Sequence, residues 1–463
     1  MSSVESGERW LVLTESGECY TKSKQTRRRF QRILDRRLRA ALAGAPSAEL
    51  VRRRRRLLVR VCEPADLERA GRAASRTFGI HRVAEATPLA EEPLDALLAE
   101  VADRARERVR GRTFAVRLRA RGGQSWRTTD VAADLGARLV GVSAGVDLDS
   151  PEVEVRLEAD GDVAWLIERV WQGPGGLPLG SQDVVATLIS GGFDSAVAAG
   201  MVMARGCPTD FVHMTLECAQ SDHATAVAHH LARQWAVGTR PRLWMLDFQP
   251  VRQALLTHVC SQLRQVVLKQ VMLAAADRLA QRVGYPALVT GESIGQVSSQ
   301  TLANLAEIDR AATRTVLRPL AGVPKQDIID RAHQLGTHDL SVRAKEVCDL
   351  SDGPVAVAAT TGELAEAAGD LVQPLVATAL DSLQVVDLSV WMPGAPGVPV
   401  IDAEADVPVV RVDGPEDAEA VPTGQPLALS GRDALRVATR LVAQGRDVRV
   451  AQPSAAATET TAA

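Results

Sequence analysis

The sequence predicts a protein of the α/β class, with an α+β front part, a central doubly wound parallel sheet and a small α/β unit near its end. Two patterns support this prediction. From residue 184 to about 347 helices alternate with short apolar runs, which predict strands at 184–189, 210–216, 242–247 and 287–290. The first of these strands leads directly into a glycine turn and an apolar helix. In such sheets ligands bind at the carboxyl ends of the strands.

The front part begins as strand, helix, strand and continues as a second α+β block. Apolar residues recur at a helical period over 26–43, between strand patterns at 10–13 and 57–61. The second block has a break at 79–83, and it contains helices at 65–78, 94–110 and 128–142 and strands at 113–119, 153–157 and 163–167. A connector rich in glycine and proline follows at 173–180. We therefore place domain boundaries after residues 64 and 170.

The last hundred residues differ in composition from the rest. Residues 356–379 are rich in alanine and acidic side chains, which predicts a linker between the central domain, 171–355, and the end of the chain. Residues 380–453 carry strand patterns near 385–388 and 427–429 and a helix at 433–444, so they predict a small α/β unit. The final segment, 454–463, is polar and alanine-rich, and we predict that it is disordered.

Length and composition exclude several classes of protein. A chain of 463 residues predicts two to four domains, at about 150 residues per domain. No apolar run approaches the roughly 20 residues that span a membrane, and the first residues do not resemble a signal peptide. The six cysteines are scattered without a CxxC pair, which argues against a disulfide scaffold, a zinc ribbon and a cysteine-held iron–sulfur cluster. We expect a cytoplasmic protein with reduced thiols, no contact with membranes and no resident metal ion.

Charge is distributed unevenly along the chain. The first 60 residues hold 16 basic and six acidic residues, whereas 354–463 hold six arginines, no lysine and 15 acidic residues. A basic front favours binding of an anionic polymer such as nucleic acid. The alternative is a solvated arginine face, which explains the clusters at 27–29 and 52–56 less well. We predict contacts with nucleic acid from six arginines: Arg27, Arg28, Arg53, Arg54, Arg117 and Arg119.

The most informative motif is SGGFDS at residues 190–195, at the end of the first central strand. A glycine turn that opens a helix presents a nest of backbone N–H groups to an anion, and Gly191 and Gly192 let the backbone approach it. Ser190 and Ser195 add hydroxyl donors, and Asp194 can hold a metal ion that neutralises a leaving pyrophosphate. The turn lacks the GK[ST] ending of a Walker loop. It therefore favours an enzyme that adenylates its substrate over a purely structural turn.

Two further features lie on the same side of the predicted sheet. The sequence TGES at 290–293 follows the strand at 287–289, so a second glycine turn is expected to face the first across a nucleotide cleft. Its hydroxyl groups suit ribose and phosphate contacts, although a helix N-cap is the alternative. Lys269 lies alone in an apolar helix at 266–276. It can reach a phosphate as a point charge, while the alternative is a solvent-facing lysine.

Together these segments resemble the tRNA 4-thiouridine synthetase family, also called tRNA sulfurtransferases. The resemblance rests on SGGFDS, on LVTGESIGQVSSQTLANL at 288–305, on LRPL at 317–320, and on Lys325 and Cys348 at matching distances. The order of domains also matches, over residues 1 to about 350. The resemblance implies a ferredoxin-like domain at 1–64, a THUMP RNA-binding domain at 65–170 and a pyrophosphate-loop ATPase domain at 171–355.

The resemblance also implies a reaction and its partners. ATP with Mg²⁺ adenylates O4 of the uridine at position 8 of tRNA, and a sulfur carried as a cysteine persulfide displaces AMP. A cysteine desulfurase supplies the sulfur, and a homodimer is left open. Asp194 and Cys348 are the implied catalytic residues. The implied ATP contacts are Leu188, Ile189, Ser190, Gly191, Gly192, Asp194, Ser195, Lys269, Gly291 and Gln300.

The end of the chain departs from the family pattern. Residues 380–453 resemble a rhodanese-like domain, with LALSGRDA at 427–434 where the sulfur-carrying loop belongs, but no cysteine follows Cys348. A hydroxyl such as that of Ser430 cannot carry a persulfide, so we predict a degenerate, catalytically silent domain without a relay role in thiazole synthesis. Cys348 itself would accept the sulfur, and Cys207 or another thiol would resolve it.

Two alternatives keep parts of this interpretation. In one, the chain is a tRNA-binding protein that has lost its sulfurtransferase activity. In the other, it is a pyrophosphate-loop synthetase that acts on a small molecule. The SGGFDS loop, Lys269 and Cys348 argue against the first, and the basic front part argues against the second.

Overall fold

The chain divides into two units, Met1–Pro178 and Leu179–Ala463, each with its own β-sheet. The computed structural model describes residues 9–53, 56–90, 93–120, 126–160, 163–217, 221–342, 350–392, 394–401, 407–415, 417, 421–422 and 426–451. The predicted disorder at 454–463 lies outside these residues. Among the described helices, none combines the length and the hydropathy needed to cross a lipid bilayer.

The first unit is built on one sheet with the strand order β2-β3-β1-β4-β8-β7-β5-β6. Its described elements are β1 (Arg9–Glu15), α1 (Gly17–Tyr20), α2 (Lys24–Leu42), β2 (Ala48–Arg53), β3 (Arg56–Val61), α3 (Pro64–Ser75), β4 (Ile80–Ala90), α4 (Leu94–Val109), β5 (Thr113–Ala120), α5 (Thr128–Val140), β6 (Gly145–Val146), β7 (Val153–Ala159) and β8 (Val163–Gln172). Buried side chains of α2 and α3 pack on β1 and β3, and those of α4 and α5 pack on β5 and β7. The strands of both predicted front domains therefore belong to a single sheet.

Three strands of this sheet, β2, β4 and the two-residue β6, were absent from the sequence prediction. The predicted break at 79–83 contains the start of β4, an eleven-residue strand that pairs antiparallel with β1 and with β8. The arginine-rich stretch that includes β2 pairs with β3 along six residues. Charged residues interrupt the apolar alternation of β2 and β4, so only their pairing partners reveal them as strands.

The second unit continues the chain with alternating strands and helices. Its described elements are β9 (Val185–Leu188), α6 (Phe193–Ala204), β10 (Thr209–Thr215), α7 (Ser221–Gln234), β11 (Arg242–Asp247), α8 (Gln249–His258), α9 (Arg264–Val283), β12 (Ala287–Val289), α10 (Leu302–Asp309), β13 (Thr315–Leu317), α11 (Lys325–Leu335), α12 (His338–Ser341), α13 (Thr361–Ala368), α14 (Val372–Asp381), β14 (Gln384–Asp387), β15 (Val398–Ile401), β16 (Val409–Arg411), β17 (Leu427–Ser430), α15 (Ala434–Ala443) and β18 (Val448–Ala451).

The sheet of this unit has the order β13-β12-β9-β10-β11-β14-β15-β18-β17-β16. From β13 to β11 all neighbouring strands are parallel. The chain adds β10 and β11 on one side of β9 and then crosses to add β12 and β13 on the other side. The topological switch point, where sheets of this kind bind ligands, therefore lies between β9 and β12. The predicted α/β class with a doubly wound parallel sheet is confirmed.

The segment 356–379, interpreted from its composition as a linker, instead folds into most of two helices, α13 and α14. Leu364, Ala368, Val376 and Ala379 are buried in the same core as α9. A Thr360–Glu363 capping box begins α13. Alanine is the best helix former, and its small side chain lets helices pack closely, so a composition that resembles a linker produces core helices here.

The last strands extend the central sheet. β14 pairs antiparallel with β11 over four residues, β15 pairs antiparallel with β14, and β18, β17 and β16 follow in parallel. The helix α15 packs on these strands, close to the predicted helix at 433–444. The small α/β unit at the end of the chain is thus joined to the central domain by continuous backbone hydrogen bonding.

Candidate functional site

The glycine turn after β9 closes on itself and opens the helix α6. Gly191 has a φ of +85°, and a Cβ there would lie 2.9 Å from the backbone nitrogen of Ala224 in α7, so only glycine fits this position. The Ser195 hydroxyl accepts a hydrogen bond from the Ser190 N–H and donates one to the Gly192 carbonyl, each at 3.2 Å. The first N–H groups of a helix lack partners within the helix, so the turn points anion-binding groups outward.

The second glycine turn, after β12, touches the first. A Cβ on Gly291 would lie 2.6 Å from the backbone nitrogen of Ser195 and 2.6 Å from the carbonyl carbon of Asp194. Such distances leave no room for a side chain. The two turns, predicted to face each other across a nucleotide cleft, instead lie in direct backbone contact at the switch point.

A buried carboxylate, Glu292, links the predicted phosphate-binding lysine to this second turn. Glu292 Oε1 lies 3.4 Å from Lys269 Nζ, and Oε2 accepts hydrogen bonds from Arg318 Nε at 2.7 Å and from the Thr290 hydroxyl at 3.0 Å. Burial raises the pKa of Glu292, but Lys269 and Arg318 outweigh burial and hold this pKa below its usual value. The sequence analysis missed Glu292 and Arg318, although both lie in the motifs that it compared.

This ion cluster predicts an acid-sensitive stability. Because the pKa of Glu292 is depressed in the folded state, its stabilising effect is present above its unfolded pKa of about 4.3 and is lost as pH falls through the folded pKa. Glu292→Gln is expected to lower the free energy of unfolding at pH 7 by about 1 to 3 kcal/mol, since it leaves buried cations unpaired. Urea unfolding between pH 3 and pH 7, with the exposed Glu366→Gln as control, measures this; equal acid profiles for wild type and Glu292→Gln would contradict it.

Asp194, a predicted catalytic residue, lies beside two polar side chains at the mouth of the turn. Its Oδ1 accepts a hydrogen bond from Lys325 Nζ at 2.7 Å, and its Oδ2 accepts one from Gln296 Nε2 at 2.9 Å. Lys325, at the start of α11, also lies 5.9 Å from the centre of the Phe193 ring. The turn is therefore flanked by two lysines, Lys269 and Lys325, from different helices.

The remaining predicted ATP contacts surround the two turns. Leu188 and Ile189 lie at the carboxyl end of β9. The buried Gln300 contacts the segment after Glu292, because its side-chain oxygen accepts a hydrogen bond from the Ser293 N–H at 3.2 Å. The structure thus brings the loop, Lys269, Gly291 and Gln300 together at one edge of the sheet.

A buried histidine at this edge was not predicted. His213, on β10, is 3% exposed, and its Nδ1 lies 3.0 Å from the carbonyl oxygen of Ile189. Burial lowers its pKa, so the ring is neutral, with the Nδ1 proton donated to that carbonyl. Nε2 has no hydrogen-bond partner among the described residues. The ring therefore leaves one acceptor free next to the strand that carries the predicted phosphate loop, the SGGFDS turn at residues 190–195.

Cys348, the other predicted catalytic residue, lies outside the described residues, but the segment that follows it is well anchored. The Ser351 hydroxyl donates to the Ser261 carbonyl at 3.1 Å, and the Asp352 N–H donates to the Ser261 hydroxyl at 2.8 Å. Ser261 follows the exposed Cys260 and precedes α9. Because α9 leads to the start of a parallel strand, its N-terminus and Cys260 lie at the carboxyl edge of the sheet, as the phosphate loop does.

Cys207, considered from the sequence as the resolving thiol, lies far from the SGGFDS turn. It lies between α6 and β10, at the end of the strands opposite to the phosphate loop. β10 has seven residues, so it separates the two edges by about 20 Å. Burial also raises the pKa of the Cys207 thiol, which lowers its reactivity. Among the described cysteines of this unit, Cys260 is the better placed.

In the first unit, an arginine-lined cavity of about 470 Å³ holds two of the predicted RNA contacts. Arg117 and Arg119 from β5 line it, together with Arg82 and Arg156. Arg117 Nε is paired with Glu154 at 3.1 Å, whereas Arg119 is exposed and has no ion-pair partner among the described residues. Glu154 and Glu158 also line the cavity and pair with Arg82, Arg117 and Arg156, so Arg119 is the lining arginine left to meet an anion from outside.

Among the other predicted RNA contacts, the described residues Arg27, Arg28 and Arg53 do not line this cavity. Arg27 and Arg28 lie in the first turns of α2, Arg53 is exposed at the end of β2, and Arg54 lies outside the described residues. The cluster at 52–56 is in part structural. Arg52 is paired with Asp35 and Glu15, and the buried Arg56 is paired with Glu158 and Asp160.

Known proteins are similar to this chain over most of its length. The chain is 37% identical over 388 residues to a tRNA sulfurtransferase of Desulfurococcus amylolyticus, and the match covers 81% of this chain and 78% of the relative. The chain belongs to the tRNA sulfurtransferase family. It is also 40% identical to a probable tRNA sulfurtransferase of Aeropyrum pernix, over 74% of this chain and 88% of that protein.

Family profiles and a solved structure agree with this membership. The profile of the family described as "Thiamine biosynthesis protein (ThiI)" matches residues 180–371, and that of the "ThiI ferredoxin-like domain" matches 11–84. The second match extends beyond the predicted boundary at 64 into β4. A 4-thiouridine synthetase, solved with RNA and bound ATP, has a TM-score of 0.68 and 23% identity, and it covers 82% of this chain and 99% of its own length. This likeness confirms the fold.

Proposed function

We propose that this protein uses ATP to activate the uridine at position 8 of tRNA and replaces its O4 with sulfur, which gives 4-thiouridine. The observation that carries the proposal is the direct contact of the two glycine turns at the switch point, with Lys269 and Lys325 beside them. Relatives named tRNA sulfurtransferase support the choice of substrate and reaction.

In this proposal the phosphates of ATP bind at the N-terminus of α6. The N–H groups of the turn and the two lysines supply positive charge on opposite sides of the phosphate chain. Glu292 holds Lys269 at the cleft, and Asp194 holds Lys325 there, so neither cation has to be ordered when ATP arrives. Leu188, Ile189, Gly291 and Gln300 then surround the nucleoside.

The site fits a magnesium ion that arrives with ATP. Mg²⁺ binds through one or two carboxylates and the phosphates of its substrate, and it keeps several waters. Each oxygen of Asp194 accepts one hydrogen bond from a side chain and retains a further lone pair. When bound, the ion neutralises charge on the departing pyrophosphate. Among the described residues, no cluster of three or more His, Cys, Asp or Glu side chains suits a resident metal ion.

The proposed reaction has three chemical steps, and different residues act in each. Uridine O4 attacks the α-phosphorus of ATP, and pyrophosphate leaves from the phosphate loop. The terminal sulfur of a persulfide on Cys348 then attacks C4, and AMP leaves. A second thiol then attacks Sγ of Cys348, which forms a disulfide with Cys348 and leaves the sulfur on C4; a thiol reductant restores both thiols. The position of Cys260 favours it for that role over Cys207. A cysteine desulfurase in the cytoplasm is the proposed sulfur donor.

The arginine-lined cavity is the proposed contact with the RNA backbone. Arg119→Ala is expected to weaken tRNA binding about three- to tenfold and to reduce the slope of log Kd against log salt by about 1, because one phosphate contact is lost. Binding titrations at several salt concentrations measure both effects. Arg104→Ala removes an exposed arginine of α4 that does not line the cavity and serves as the control. Equal effects of the two variants would contradict the assignment.

The direct test of the function uses the purified full chain with tRNA, ATP, Mg²⁺ and a persulfide donor. We expect 4-thiouridine at position 8, detected by mass spectrometry of digested tRNA, with one AMP released per sulfur inserted. Binding of tRNA without either product would favour the binding-only alternative. Release of AMP with a small acceptor and without tRNA would favour the small-molecule synthetase.

A further inference from the structure

The C-terminal segment, residues 384–451, contacts the helix that supports the phosphate loop. We propose that this segment positions α7, and through it the phosphate loop, and so strengthens ATP binding. This inference rests on the proposed function, since it assumes that ATP binds at the SGGFDS turn. It gives a role to a part of the chain that has no cysteine to carry sulfur.

The first step connects α7 to the loop. The space beside Gly191 is filled by backbone atoms of α7, with the Ala224 nitrogen at 2.9 Å and the His223 carbonyl carbon at 3.1 Å from the position of a Cβ. A backbone-to-backbone contact cannot be relaxed by rotating a side chain. A shift of the start of α7 therefore moves Gly191 or opens a gap beside it.

The second step connects the C-terminal segment to the other end of α7. Arg233 donates a hydrogen bond to the Ser389 carbonyl at 3.1 Å, and the His229 ring meets the Trp391 ring edge-on, with centroids 6.4 Å apart. Just beyond the helix, Arg240 forms an ion pair with Asp433, which is 5% exposed.

These contacts come from a rigid part of the segment. Trp391 is 3% exposed, and its indole N–H donates to the Ala395 carbonyl at 3.0 Å. The turn at Ser389 is fixed by Asp387, whose carboxylate accepts the Ser389 N–H at 2.8 Å. Asp387 itself lies on β14, which is paired with β11 of the central sheet. The segment is thus tied to the same sheet that carries the phosphate loop.

The opposite side of α7 is held by α11. The side chains of His230 and Trp235 both reach the carbonyl oxygen of Leu335, at 2.9 Å each. At its other end α11 presents Lys325 to Asp194. The helix α7 therefore lies between α11 and the C-terminal segment. Both are connected to the phosphate loop, α11 through Lys325 and the segment through the central sheet.

The turn after β17 lies where the sulfur-carrying loop was predicted, and its hydrogen bonds fit a positioning role for the C-terminal segment. After β17, the Arg432 N–H donates to the Asp413 carboxylate at 3.1 Å, and Gly431 has a φ of +103°. The Asp413 carboxylate thus accepts a hydrogen bond from a backbone N–H group of this turn. The neighbouring Asp433 is used in the contact with Arg240.

The test removes the two arginine contacts in the full chain, where both side chains are exposed enough to be replaced without opening the core. The double variant Arg233→Ala, Arg240→Ala is expected to bind ATP with Mg²⁺ about five- to tenfold more weakly, since misplacing a binding group is costly, while tRNA affinity stays unchanged. Calorimetric titration measures both affinities. Hydrogen exchange of residues 189–193 and 221–234 is expected to increase in the variant.

Controls separate this inference from the proposed function and from general destabilisation. Arg440→Ala replaces an exposed arginine of α15 and is expected to leave ATP binding unchanged. The single variant Arg240→Lys keeps a positive charge opposite Asp433. Because Arg233 is intact in it, it is expected to bind ATP nearly as tightly as the wild type. Normal ATP affinity in the double variant would overturn the inference while leaving the proposed function standing. Failure of the wild-type chain to bind ATP would overturn both.

Discussion

A Cys348→Ala chain is expected to release pyrophosphate from ATP on tRNA at close to the wild-type rate and to form no 4-thiouridine. The adenylation step uses the phosphate loop and the lysines beside it, none of which is the thiol. Alanine cannot carry a persulfide, so sulfur insertion is expected to fall by about 10³-fold or more, as removal of a nucleophile typically does. Pyrophosphate release and 4-thiouridine content, measured on the same samples, separate the two steps.

Two other cysteines provide the controls for this experiment. Cys207→Ala is expected to behave as wild type, because Cys207 lies at the opposite edge of the sheet. Cys260→Ala is expected to stall with the tRNA joined to Cys348 through the sulfur–sulfur bond, and added dithiothreitol is expected to release 4-thiouridine, because the resolving thiol is missing. Full thiolation by Cys348→Ala would show that another group carries the sulfur.

Gly291→Ala is expected to weaken ATP binding by about 100-fold, because a displacement near 1 Å in a binding site can have that effect. The new methyl group would lie 2.6 Å from backbone atoms of Asp194 and Ser195, and backbone cannot move aside as a flexible side chain can. The two glycine turns would be forced apart, and the phosphate loop would lose its support. ATP affinity and the thermal midpoint, measured together, show whether the damage is local.

Gly322→Ala is the matched control for this variant. Gly322 follows the LRPL motif on the same side of the sheet, and nothing lies within 4 Å of the position of a Cβ there. It is expected to bind ATP as the wild type does. Normal ATP affinity in Gly291→Ala would mean that the contact between the two turns has no part in binding.

Much of the site was predictable from the sequence because its elements are local. The SGGFDS turn needs only a strand before it and a helix after it, and both show in the apolar pattern. Alternating strands and helices fix a parallel sheet, and parallel sheets place such turns at one edge. The placement of the turns of Gly191 and Gly291 at the same edge follows from this rule, whereas their direct contact does not.

Other features depend on partners distant in the chain. Glu292 and Arg318 form one ion cluster with Lys269, yet each alone resembles an ordinary surface charge. The arginines at 52–56 resembled one basic surface, but Arg56 is buried against Glu158, about a hundred residues away. Local periodicity cannot distinguish a charge in solvent from a charge in a pair.

The sequence by itself determined the fold class, the position of the SGGFDS turn and the family, because short-range spacing and the apolar period encode them. Only the tertiary structure decided that residues 356–379 fold into most of two core helices, that Cys207 lies at the edge opposite the SGGFDS turn and that the C-terminal segment contacts α7. These outcomes depend on which surfaces of distant segments pack against each other in the folded chain. Burial and pairing are properties of the packed molecule, and no local pattern of residues specifies them.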